Sequence, residues 1–140
     1  MWLADTSAWI WSRRRAHPNV RQWFDALLVE GEIATCDVVR LELLYGTRSG
    51  DEHDRRRLEL SALVNCPIGP DEWERAVETQ NGLAHLGPDH VKVAKWQDVV
   101  VAAAAESAGV GVLHYDADFD WIERVTGQPM RWLAAKGMLG

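Results

Sequence analysis

The chain of 140 residues has only two cysteines, and Cys36 and Cys66 stand at neither metal-ligand nor redox-motif spacing. A disulfide-stapled or zinc-ribbon domain is thereby excluded. The two sulfurs read as small buried hydrophobes in a reducing compartment. Long apolar runs are missing as well. The longest, Val99 to Ala105, covers seven residues, against the roughly 20 that a membrane helix requires. Met1 leads straight into apparent structure, with no basic, cleavable apolar leader, so no membrane association and a cytoplasmic location are expected. No GxxxxGK[ST] or GxGxxG run is present to cradle a nucleotide cofactor. His17, His53, His85 and His90 are scattered, with no pair at ligand spacing on one helical face. Net positive charge is also absent. The value of −6 argues against a whole-surface nucleic-acid binder. Three local basic clusters, Arg13–Arg15, Arg55–Arg57 and Lys92 with Lys95, still offer a phosphate-tracking patch.

What is present is an ordinary soluble composition, 47% hydrophobic and 26% charged, long enough for one hydrophobic core. No repeat, linker or low-complexity tract interrupts it, so residues 1–140 read as a single domain. Met1–Ala4 is a first strand, ending at the helix-capping residues Asp5-Thr6-Ser7. Helices are expected over Trp9–Arg15 and Asn19–Glu30, then from a cap at Asp37 to Gly46, and over Asp51–Leu63. Asp71 is expected to cap a helix reaching about Leu86, and a long helix should run from about Val91 to Ala108, closed by Gly109. Strands are expected at Glu32–Thr35, Asn65–Ile68, Val110–Tyr115 and Met130–Leu133, with a helix over Phe119–Val125. This alternation implies an α/β fold, a three-layer α/β/α sandwich around a mostly parallel sheet of roughly five strands. Seven of the eight tryptophans (all but Trp11) fall within apolar patterns and read as core or subunit interface, whereas Trp11 lies beside Arg13–Arg15.

Four carboxylates carry the chemistry: Asp5, Glu42, Asp98 and Asp116. Asp5 and Asp116 end two apolar strands and so point toward one sheet edge, where parallel sheets hold their ligands. Glu42 and Asp98 adjoin strongly apolar stretches, and a carboxylate drawn toward a core is costly unless paired or bound to metal. Any one acid alone reads equally well as a helix cap or a surface group. Together, with no Arg or Lys partner evident from spacing, they favour an all-oxygen site for Mg²⁺ or Mn²⁺. Such a site would bind a phosphodiester and activate water against it. Two other acid chemistries fail. Trp121 stands where a calcium loop in Asp116–Asp120 would need glycine, and Ser7 where a haloacid-dehalogenase-type phosphatase would need a second Asp.

In their order, four segments resemble the motifs of the PIN-domain ribonucleases, and within them the VapC-type toxins of type II toxin–antitoxin pairs. They are Asp5-Thr6-Ser7-Ala8-Trp9-Ile10, Glu42-Leu43-Leu44-Tyr45-Gly46, Asp98 through Ala104, and His114-Tyr115-Asp116-Ala117-Asp118-Phe119. The likeness spans essentially the whole chain. It implies a metal-dependent endoribonuclease that leaves a 5′-phosphate and a 3′-hydroxyl. Asp5, Glu42, Asp98 and Asp116 would be its metal ligands, with Thr6 in hydrogen-bonded support and Asp118 as an auxiliary acid. It also implies an RNA substrate, a homodimer, and a VapB-like antitoxin whose C-terminal segment covers the active-site groove. One departure is His114, at a position two residues before the fourth acid where the family usually has Thr or Ser; it is expected to pack on the strand. The alternative reading is a catalytically idle PIN-like module that binds RNA or a protein.

Overall fold

The computed structural model describes all of residues 1–140. Five short strands form one all-parallel sheet in the order β3-β2-β1-β4-β5. They are β1 (Trp2–Ala4), β2 (Ile33–Thr35), β3 (Val64–Asn65), β4 (Gly111–His114) and β5 (Met130–Trp132). Seven α-helices connect them: α1 (Thr6–Ser12), α2 (Pro18–Val29), α3 (Asp37–Tyr45), α4 (Gly50–Ser61), α5 (Pro70–Ala84), α6 (Trp96–Ala108) and α7 (Asp118–Thr126). The central strands are buried on both faces: Leu3, Ala4, Ile33, Ala34, Val112 and Leu113 are at most 1% exposed. That is why they read as continuous apolar runs rather than alternating ones. Val99 to Ala105 is buried along its whole length, so α6 is the helix most enclosed by the fold.

The chain leaves β1 for β2 and β3 on one side, then returns to place β4 on the other side of β1. Leu3 pairs with Ala34 in β2 and with Val112 in β4. The reversal of strand order between β1 and its neighbours opens a crevice at the carboxyl ends of the strands, where such sheets bind ligands.

The sequence reading needs correction at four places. The expected helix from Val91 is broken: His90–Lys92 is a 3₁₀ turn, and α6 starts only at Trp96 after an extended Lys95. Asp89 takes a left-handed φ of +64° there, and the β-branched Val91 and Val93 hold the segment in a helix only weakly. The third strand is Val64–Asn65 rather than Asn65–Ile68. Asp37 and Asp71 lie inside the first turns of α3 and α5, whose caps are Cys36 and Gly69; both acids still favour the positive helix end. Of the tryptophans expected in the core or a subunit interface, Trp73 and Trp96 are 48% and 54% exposed and stacked on each other with centroids 6.3 Å apart, so the core half of that expectation fails for them and the interface half stands. No helix is long and apolar enough to cross a membrane.

Candidate active site

The crevice is built from the ends of two adjacent strands. Ala4 pairs with Leu113, and the Asp5 N–H donates to the Leu113 carbonyl at 2.9 Å, so β1 delivers Asp5 beside the end of β4. Asp5 then caps α1: its Oδ2 accepts the Ser7 N–H at 3.0 Å and the Ser7 hydroxyl at 2.6 Å. The same hydroxyl oxygen accepts the Tyr115 N–H at 2.9 Å. Ser7 thus ties the first acid to the main chain next to the fourth. Sequence reasoning gave a supporting role to Thr6 and none to Ser7. The capping pattern of an acid followed two residues later by a hydroxyl was the available signal.

Asp98 sits in the first turn of α6, its N–H donating to the Lys95 carbonyl at 3.1 Å. Asp116 follows β4, and its Oδ1 accepts the N–H of Asp118, the first residue of α7. One carboxylate oxygen from each of Asp98, Asp116 and Asp118 lies within 4.8 Å of the others. Asp5 is close enough to raise the proton affinity of Asp98. Glu42 is brought in from α3, where the Thr6 hydroxyl donates to its Oε1 at 3.0 Å. Contrary to the reading from its apolar neighbours, Glu42 is exposed. Val38, Val39 and Leu44 occupy the buried face of α3, whereas Leu41, Glu42 and Tyr45 occupy the outer one.

The electrostatics are those of crowded, dry acids. Asp5, 4% exposed, is pushed up to about 6 chiefly by burial, against the lowering effect of the Ser7 bonds. Asp98, 6% exposed, is pushed up to about 8 by burial, then by Asp5, by a shared hydrogen bond with Asp118 and by Asp116. Burial and Asp116 also raise Asp118. A hydrogen bond between two carboxyl groups needs one proton between them, and Asp98 is the side that keeps it. Its Oδ2 is buried without a hydrogen-bond partner. None of these five acids takes part in an ion pair.

His114 packs on the strand, fully buried between the rings of Phe119 and Trp132 at 4.9 and 4.8 Å. Burial lowers it to about 4, so it is neutral near pH 7. Its Nδ1 accepts the Asp116 N–H at 3.2 Å, giving main-chain support of a kind that a hydroxyl also gives. Cys36, at the end of β2, is pushed up to about 11 by burial and offers no thiolate near neutrality.

The sequence pattern of the PIN domain family matches residues 3–125, from β1 to α7. The chain belongs to the PIN-domain family. Within it the chain falls in the VapC branch. It is 40% identical over 140 residues to ribonuclease VapC18 of Mycobacterium tuberculosis, covering 99% of each chain. It is 36% identical over 138 residues to ribonuclease VapC51 of the same organism, covering 99% of this chain and 96% of that one. Among solved structures, DNA-bound VapBC from Salmonella typhimurium matches with a TM-score of 0.70 at 18% identity, over 95% of this chain and 98% of that chain. FitAcB from Neisseria gonorrhoeae matches with a TM-score of 0.69 at 17% identity, over 94% and 96%. At these identities the solved structures show a common PIN fold.

Proposed function

We propose that this PIN-domain protein is a divalent-metal-dependent endoribonuclease and the toxin of a toxin–antitoxin pair. The observation that carries the reading is the convergence of Asp5, Asp98, Asp116 and Asp118 in one crevice without a single ion-pair partner. Four such acids repel one another and lose hydration, a cost that a cation would offset. The donor set suits Mg²⁺ or Mn²⁺: all oxygen, partly solvent-facing, with no sulfur or imidazole. The Oδ2 of Asp98, buried without a hydrogen-bond partner, has lone pairs free for a cation.

Asp5, Asp98 and Asp116 would hold the ion from within, and Glu42 from the solvent side, directly or through water. A bound divalent ion supplies phosphate charge neutralisation and water acidity. The remaining work falls to the chain. Ser7 holds the Asp5 carboxylate in one rotamer, Thr6 does the same for Glu42, and His114 fixes the Asp116 main chain. Asp118 shares a hydrogen bond and its proton with Asp98, a proton that would leave as Asp98 took up the cation. RNA would enter over Glu42, beside an open cleft of about 480 Å³ lined by Leu41, Tyr45, Trp96 and Gln97.

The partners follow from the same relatives. Solved neighbours are described as VapBC and FitAB assemblies bound to DNA, which supports a VapB-like antitoxin for this chain. Exposed Leu41, Tyr45, Trp73, Val77 and Trp96 lie on α3, α5 and the start of α6. Such a set of apolar side chains supports a homodimer. The deciding experiment incubates the purified protein with RNA and Mg²⁺ or Mn²⁺, and maps the new 5′ ends. Cleavage that stops with EDTA and in Asp5→Asn supports the reading. RNA binding without cleavage under any divalent metal would favour an idle binding module instead.

A further inference from the structure

Tyr115 and Asp116 lie beyond the regular sheet. The last bond at that end of β4 runs from the Leu133 N–H to the His114 carbonyl at 2.7 Å, and α7 begins only at Asp118. Apart from the Phe119 N–H on the Asp116 carbonyl at 3.2 Å, the segment carrying the fourth acid is held by bonds with side chains. Two were described above, Tyr115 N–H to Ser7 and Asp116 N–H to His114. A third comes from the far end of the chain: the Tyr115 phenol oxygen accepts the Leu139 N–H at 2.8 Å.

Leu139 is itself anchored. Its side chain is 6% exposed, and its carbonyl accepts the His17 Nε2–H at 3.1 Å. The preceding turn is closed by the Met138 N–H on the Ala135 carbonyl at 2.9 Å. The Tyr115 ring lies between Trp11 at 5.0 Å and Trp132 at 5.5 Å. Lys136 pairs with Asp120 at 3.6 Å, one turn from these rings. Trp132, Lys136, Met138 and Leu139 lie past residue 125, where the PIN match ends, and their partners lie within it.

We propose that Leu139 is a positioning residue: the C-terminal turn clamps Tyr115 and through it fixes Asp116 and, by way of Ser7, Asp5. The proposal rests on the ribonuclease reading above. A ligand carboxylate depends on what orients it, and removing such outer support typically costs about 10- to 100-fold in metal affinity or activity. Here the phenol oxygen adds a tie from the C-terminal turn to the residue that joins Ser7, which holds Asp5, to Asp116.

The test uses the full chain carrying Tyr115→Phe, which removes only that oxygen, and Leu139→Pro, which removes the donor N–H while keeping apolar bulk. Met138→Ala, at a side chain 68% exposed, is the control. Two quantities are read: Mn²⁺ binding by calorimetry without RNA, and kcat and KM separately at subsaturating Mn²⁺. Both clamp variants should bind Mn²⁺ about ten-fold more weakly and lose kcat in step, with KM for RNA changed by less than about two-fold. Saturating Mn²⁺ should restore most of the kcat of Tyr115→Phe. Wild-type Mn²⁺ affinity in Tyr115→Phe overturns the proposal, as does an equal loss in Met138→Ala. If Leu139→Pro fails to fold, Tyr115→Phe decides alone. RNA left uncut by the wild type overturns the ribonuclease reading, and the calorimetric result still decides the clamp.

Discussion

Replacing Asp98 with asparagine removes an ionisable group from the crowded crevice and supplies an N–H that can donate to Asp118. In the folded chain the Asp98 carboxyl is raised from 3.8 to about 8, mainly by burial and then by Asp5, Asp118 and Asp116. Between those pH values the folded state holds a proton that the unfolded chain has already released. Stability therefore falls as pH rises through the window, and the loss is complete above about pH 8. At about 1.4 kcal/mol per pH unit, the interval sets an upper limit of roughly 6 kcal/mol, reduced in practice because Asp118 shares the proton. Taking about 3 kcal/mol, a chain of this length should gain roughly 10 °C in Tm on losing that charge. Asp98→Asn should thus melt roughly 10 °C above the wild type at pH 8 in EDTA, and the gap should close toward pH 4. Saturating Mn²⁺ should raise the wild type by several degrees and the variant by little, since only a site that binds is stabilised. Thermal melts followed by circular dichroism at pH 4, 6 and 8, with EDTA or Mn²⁺, read both effects. A variant that melts below the wild type at pH 8, or a gap independent of pH, would refute the reasoning.

Other expectations follow from single contacts. Asp5→Asn and Asp98→Asn should each lower metal-dependent RNA cleavage by at least about 100-fold, read as initial rates on a labelled RNA. Ser7→Ala removes the hydroxyl bond that holds the Asp5 pKa down and keeps the backbone N–H bond. Asp5 should then rise further above about 6, and the acid limb of the pH–rate profile should move up by about one unit. Gly111→Ala would drive a Cβ into the Trp2 ring from the middle of the sheet. It should cost about 1–3 kcal/mol in urea denaturation, while the folded fraction keeps its activity per molecule.

Much of the site was legible because strand ends are legible. Asp5 and Asp116 each follow an apolar run, and in a parallel sheet that alone puts them on one edge. Asp98 announced itself by the seven apolar residues after it, all buried in α6. Glu42 was misjudged because neighbours in sequence are not neighbours on a helix. Successive residues of α3 turn by about 100°, so Glu42 faces water while Val38, Val39 and Leu44 face the core. The start of α6 was missed because hydropathy does not register the left-handed Asp89 or the extended Lys95. The role of Ser7 depends on Tyr115, 108 residues away, a contact that exists only once β1 and β4 are side by side.

That pairing also sets when the acidic crevice can first form. β1 is complete by Ala4, and β2 is available at residue 33, but the strand that closes the other side of β1 starts at Gly111. A chain interrupted anywhere before β4 lacks Asp116 and Asp118 and leaves Asp5 without its neighbour. Synthesis from the amino end therefore yields no partly active fragment. The acidic crevice arises late and all at once, only after β4 and the acids that follow it have been made and β4 has docked on β1.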